Sequence, residues 1–219
     1  MSHQVAVIGM GRFGTSLALE LYRIGHDVLA VDHVESLTQE MMGLVTYSVT
    51  GDSTSMQFLE EVGIRNFDTA VVAIGDIQNS VLTTVLLKRT FEVPEVVARA
   101  TSELHGKTLQ AVGADRVVYP EQETGLRTAH SLFQREVLEY MELNDNFGFS
   151  KVSITPKMVG LTLKDAELST TTPDKNETTV VAISRGSLPI LSPSENEVLQ
   201  AGDELIIAGP EDTLERFGN

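Results

Sequence analysis

The sequence predicts an α/β chain: a doubly wound, six-stranded parallel sheet followed by a small α+β lobe. Three observations carry this expectation. Short apolar runs alternate with helical patterns six times between residues 4 and 140. Strands buried on both faces of a parallel sheet read as continuous apolar runs, and their crossovers read as helices. A glycine-rich turn, Gly9-Met10-Gly11-Arg12-Phe13-Gly14, joins the first apolar run to the first helical one. Near residue 144 the pattern changes to closely spaced strands separated by turns.

The bulk properties narrow the function. The chain has 219 residues, enough for one large domain and one small one. The change of pattern places them at 1–140 and 141–219. Hydrophobic residues make up 42%, so a packed core is expected rather than disorder. No apolar run approaches the roughly 18 residues that cross a bilayer. Residue 4 already opens a strand, so no signal peptide is expected. There is no cysteine, which excludes disulfides, thiolate metal sites and thiol nucleophiles. The net charge of −15 argues against nucleic acid and against direct docking on anionic lipid. Any membrane connection is expected to run through another protein.

The elements follow in order. QVAVI (4–8) is a buried strand, and 12–25 a helix with Leu17, Ala18 and Leu21 on one face and Gly25 as its stop. DVLAVD (27–32) is a strand, 35–43 a helix and VTYSV (45–49) a strand. SMQFLEEVG (55–63) is a short helix and TAVVAIG (69–75) a strand. A long helix is predicted over 78–91, a strand over EVVARA (95–100) and a helix near 103–113. RVVYP (116–120) is the sixth strand, and a helix near 124–140 closes the domain. The expected strand order is the Rossmann-like 3-2-1-4-5-6. Beyond it, KVSIT (151–155), TVVAISR (179–185), LPIL (188–191) and DELIIAG (203–209) are strands, with Arg185-Gly186-Ser187 as a hairpin turn.

A lone GxGxxG is weak evidence, but here it follows a strand, opens a helix and is trailed by Asp32 at the end of the second strand. That is the context a dinucleotide-binding fingerprint requires. Gly9 permits the tight turn, Gly11 lets backbone approach phosphates, and Gly14 lets helix and strand pack closely. The helix start, at Arg12 and Phe13, offers free N–H groups and a partial positive charge. Asp32 is placed to accept ribose hydroxyls, and its charge disfavours a 2′-phosphate. Arg12 can fork onto a terminal phosphate, which ATP and ADP have and NAD lacks. The plainer reading makes it a solvent-facing arginine at an unfavourable end of the helix dipole.

Other candidates lie where the parallel strands end. Asp52 and Ser53, in TGDSTS (50–55), are placed to meet the adenine or, alternatively, to cap the next helix. Ala73, Ile74 and Gly75 end the fourth strand beside the crevice where the strand order reverses. Arg99 ends the fifth strand and Glu121 follows the sixth. The five histidines show no metal-binding spacing and read as ordinary surface residues. No acid, base or nucleophile set suggests catalysis. The wide apolar stripe of helix 78–91 (Val81, Leu82, Val85, Leu86, Leu87, Phe91) suggests a subunit interface.

These segments, VIGMGRFG, VLAVD, GIRNFDTAVVAIG, VGADRVVYPE and GDELIIAG in that order, resemble the RCK-type cytosolic regulatory subunits of Ktr and Trk potassium uptake systems. The likeness runs nearly end to end. It implies a cytoplasmic, non-catalytic protein, held at the membrane by a membrane-embedded potassium-translocating subunit. It implies dimers that assemble into rings, commonly octameric. ATP and ADP are the implied ligands of the N-terminal lobe, with NAD(H) as another candidate. Arg12 matches the residue that contacts the γ-phosphate, and Asp32 the ribose-binding acid. Glu121 matches a glutamate that helps hold a divalent or monovalent cation near paired nucleotides. Asp52 falls where some relatives have Asn, and Arg99 where some have Lys. Part of the family binds cyclic di-AMP in the C-terminal lobe. There the match is poorer, with Ser169 and the polar loop 170–179 where some relatives carry an arginine. The competing readings are an NAD-dependent oxidoreductase, for which the C-terminal segment is small, and a free-standing nucleotide sensor.

Overall fold

A computed structural model of the chain describes residues 2–131, 137–144, 147–168, 170 and 178–210. The chain divides into two compact units, Met1–Gln122 and Glu123–Asn219. Among the described residues no helix is long and apolar enough to cross a membrane.

The first unit alternates strand and helix. Its strands are β1 (Gln4–Ile8), β2 (Asp27–Asp32), β3 (Tyr47–Thr50), β4 (Thr69–Val72), β5 (Glu95–Arg99) and β6 (Arg116–Val118). All six are parallel, in the order β3-β2-β1-β4-β5-β6. The two-residue period of β1 explains how the sheet is covered. Ala6 and Ile8 join the core on one face, with Leu59, Ile64, Leu87 and Leu109. Val5 and Val7 join the other, with Ala18, Ala30 and Met41. Both faces are apolar, so helices must cover both.

Those helices are α1 (Arg12–Arg23) and α2 (Glu35–Met41) on one side, and α3 (Met56–Glu61), α4 (Ile77–Val85) and α5 (Glu103–Val112) on the other. The helix predicted over 78–91 is not continuous. Beyond α4, residues Leu86–Thr90 form a π-helical turn, with the Phe91 N–H donating to the Leu86 carbonyl at 2.9 Å. The wider turn shifts the phase of the side chains. Leu87 and Phe91 both enter the core, while Leu82 stays exposed. The apolar stripe expected at an interface is split between the two environments. Serine and threonine replace it on the inner face of α4, where Ser80, Thr83 and Thr84 are fully buried.

The helix expected near 124–140 is α6, Pro120–Ser131, and Val137–Asn144 is a strand, β7. The apolar pairs Val137-Leu138 and Tyr140-Met141, split by Glu139, fit a helical period as readily as a strand, and Met141 and Leu143 are exposed. β7 edges an antiparallel sheet with β8 (Phe147–Ser153), β9 (Thr179–Arg185), β10 (Leu188–Leu191) and β11 (Glu204–Pro210), in the order β10-β9-β11-β8-β7. One face is buried around Val152, Leu163, Ile183, Leu199, Leu205 and Ile207. Gly186, at φ +61°, and Ser187 form the hairpin turn between β9 and β10, within the expected Arg185-Gly186-Ser187. Arg185 stands at that turn. It donates twice to the buried Asp203 at 2.8 Å, once to Glu197 at 2.9 Å and once to the Val198 carbonyl. Ser169 and residues 171–177, on which the cyclic di-AMP expectation turns, lie outside the described residues.

Candidate nucleotide site

β1 pairs with β2 on one side and β4 on the other, so the strand order reverses beside it. Ligands of such sheets bind outside the carboxyl ends of the strands at that point. Four strand ends are laced together here by main-chain hydrogen bonds. The Gly9 N–H donates to Val31 O at 2.7 Å, Ala73 N–H to Ile8 O at 2.7 Å and Gly51 N–H to Asp32 O at 2.9 Å.

The glycines answer to this crowding. Gly9 has φ +102°, and a Cβ there would lie 2.9 Å from the Ala73 carbonyl carbon. A Cβ on Gly14 would overlap the Gly9 carbonyl oxygen. Gly11 differs, because nothing lies within 4 Å of where its Cβ would be. It is the N-cap of α1, and no side chain caps that helix or brings an acid to its first turn. The helix start thus presents uncapped N–H groups and its positive end toward open space.

Asp32 is buried, at 7% exposure, and both of its oxygens are engaged. Oδ2 accepts the Met10 N–H at 2.6 Å and Oδ1 the Val34 N–H at 2.8 Å, with His33 Nδ1 3.2 Å from Oδ1. Each carboxylate oxygen has a second lone pair, so capacity for a hydroxyl donor remains. The residue therefore clamps the glycine loop to β2, a role that sequence spacing does not reveal.

Arg12 is exposed and makes no hydrogen bond or ion pair among the described residues. Phe13 is half-buried against the α1 side of the core, and Ile74 packs on the opposite face. Asp52 forms a local turn, accepting the Thr54 hydroxyl at 2.7 Å and the Thr54 N–H at 2.8 Å. Those bonds, with nearby His33, hold its carboxyl below the usual range. Neither Asp52 nor Ser53 caps α3. Ser55 does, accepting the Phe58 N–H at 3.3 Å. Ser53 is buried and its hydroxyl pairs with that of Thr83 on α4 at 2.9 Å. Gly75 precedes Asp76, which caps α4.

Arg99 leaves the end of β5 and reaches Glu121 in the first turn of α6. Its Nη2 donates to Oε1 at 2.6 Å and its Nε faces Oε2 at 3.4 Å. This guanidinium holds the Glu121 carboxyl below its ordinary range. His105 corrects the expectation that all the histidines are superficial. Placed in the first turn of α5, it is only 2% exposed. Its Nδ1 accepts the Thr101 N–H at 3.2 Å, and its Nε2 has no partner among the described residues. Burial, and then the charge of Arg99, lower its pKa.

The model of the TrkA-N domain matches residues 5–120, and that of the TrkA-C domain matches residues 150–219. The Ktr system potassium uptake protein A of Bacillus subtilis is 37% identical over 217 residues, covering 99% of this chain and 96% of its own. Among solved structures, the GsuK RCK domain superposes with a TM-score of 0.55 at 24% identity over 98% of this chain, which spans 45% of that one. GsuK bound to ADP gives a TM-score of 0.53 at 26% identity, over 61% of this chain and 35% of that one.

Proposed function

This chain belongs to the family built from a TrkA-N and a TrkA-C domain, and from that premise we propose that it is a non-catalytic gating subunit of a potassium uptake system, sensing ATP against ADP. The observation that carries the reading is the start of α1. It joins an uncapped helix N-terminus, an unobstructed Gly11 and an exposed Arg12 with no partner among the described residues. Backbone N–H groups there suit a phosphate without any metal or nucleophile. The solved ADP complex of a structural neighbour and the potassium-uptake name of a close relative support the same assignment.

In this reading the glycine loop and helix start take the α- and β-phosphates, common to ATP and ADP. Asp32 uses its spare lone pairs on the ribose, and the loops at Asp52–Ser53 and Ala73–Gly75 flank the base. Arg12 adds a guanidinium fork for the γ-phosphate. NAD(H) shares the loop contacts but offers Arg12 no terminal phosphate. Only a ligand that binds two states of the protein unequally can shift them, so discrimination at Arg12 is what makes gating possible.

The gating role requires partners. The neighbouring helices α4 and α5 leave Ile77, Leu82 and Leu104 exposed, at 52%, 45% and 75%. Such residues suit a contact with a second copy. The assembly we propose is a dimer-based ring, octameric by family resemblance, lying on the cytoplasmic side against a membrane-embedded potassium-translocating subunit. Parallel calorimetry with ATP, ADP, NAD and NADH tests the ligand. Potassium flux through proteoliposomes carrying the membrane subunit tests the gating. ATP binding no tighter than ADP, or flux indifferent to both, refutes the proposal.

A further inference from the structure

The ion pair at the mouth of the crevice bears on what balances charge there. The family resemblance leads one to expect a metal or other cation at Glu121. Its carboxylate instead faces the guanidinium of Arg99, with Nη2 at 2.6 Å from one oxygen and Nε at 3.4 Å from the other. Among the described residues no group of three His, Asp or Glu side chains could hold a metal ion. An incoming ion would meet a guanidinium already seated on the carboxylate, and would gain one exposed carboxylate beside that positive charge. Within one ligand-free chain, Glu121 and its guanidinium partner do not make a metal donor set. Arg99 is also well seated, with its side chain only 19% exposed and Nη1 lying 3.8 Å from where a Cβ on Gly75 would be.

We propose that Arg99 is the resident cation of Glu121, so that the ligand-free protein binds no divalent ion at this carboxylate. The consequence for ligands rests on the nucleotide reading above. With Glu121 neutralised from within, the crevice mouth does not repel a phosphate, and nucleotide binding needs no metal at this position. Remove the guanidinium and the glutamate becomes a bare negative charge. At about 10 Å and an effective dielectric of about 20, one such charge weakens an anion's binding roughly tenfold.

The test has two arms on the full-length protein. The first titrates the nucleotide-free protein with Mn2+ and counts free ion by electron paramagnetic resonance. Wild type and Glu121→Gln are expected to bind equally. Mn2+ binding that wild type shows and Glu121→Gln loses overturns the proposal. The second measures ATP affinity in EDTA for wild type, Arg99→Met and the double variant Arg99→Met/Glu121→Gln, with circular dichroism confirming that each is folded. Arg99→Met is expected to bind roughly tenfold more weakly, and the double variant to recover, because the exposed charge is then gone. Loss without recovery, or no loss at all, overturns the proposed charge balance. Should wild type bind no ATP, the nucleotide reading falls, while the Mn2+ arm still decides the resident cation.

Discussion

The carboxylate of Asp32 holds the Met10 N–H at 2.6 Å, fastening the end of β2 to the glycine loop that follows β1. This charged hydrogen bond is buried, so breaking it leaves a desolvated donor behind. Asp32→Ala is expected to destabilise the ligand-free protein by about 1–3 kcal/mol. Urea unfolding without nucleotide measures this directly. The same variant should weaken adenine nucleotide binding in calorimetry beyond any loss caused by unfolding. Unchanged ligand-free stability shows that the loop does not depend on the clamp.

Arg12 makes no intramolecular bond among the described residues, so its removal should leave the fold intact. Arg12→Ala is expected to bring ATP affinity down toward that of ADP while ADP binding stays nearly the same. Equal losses for the two nucleotides mean that Arg12 merely supports the loop.

Gly14→Ala places a methyl group on the Gly9 carbonyl oxygen, which is backbone and cannot swing aside. Overpacking of this kind costs about 1–3 kcal/mol. The expected result is a lower unfolding midpoint together with weakened nucleotide binding, since the loop and the start of α1 must separate. Gly11→Ala, with open space at its Cβ, should spare stability and so serves as the control.

The second unit should be acid-sensitive through Asp203. Its hydrogen bonds from Arg185, and then from the Gln200 N–H, hold the folded carboxyl below the ordinary value of 3.8. A depressed folded pKa contributes stability that is fully present above the unfolded value and is lost as pH falls through the folded one. Unfolding midpoints should therefore drop below about pH 4, with a shallower slope in Asp203→Asn. Identical slopes remove Asp203 from the account.

Leu82, part of the wide apolar stripe read in helix 78–91, is 45% exposed on α4. Leu82→Asp should lower the mass seen by light scattering while leaving the far-ultraviolet spectrum unchanged. A wild-type mass near the monomer's 23.8 kDa at micromolar concentration would falsify the proposed assembly.

Much of this molecule is legible in its sequence, because the signals are local. Period and turn chemistry suffice for the six parallel strands and their order, for the hairpin at Gly186, and for a glycine loop that opens a helix. The errors also have local causes. The π-turn at Leu86–Thr90 interrupts the helix that an unbroken apolar stripe over 78–91 predicts, and residue types alone do not mark it. β7 was hidden because VLEYMELN supports both periods over its short length.

The sequence by itself determined which chemistry could meet at the carboxyl edge. Strand ends in a parallel sheet must share one side, so Gly9, Asp32, Asp52, Gly75, Arg99 and Glu121 converge there whatever the side chains do. Only the tertiary structure decided how those residues pair. Asp32 turned to the Met10 amide, Ser53 to Thr83, and Arg99 to Glu121, while His105 was drawn into the core. These choices depend on distances of about 3 Å between residues 22 to 30 positions apart. Such distances are set by how helices settle on the sheet, and no local pattern of residues encodes them.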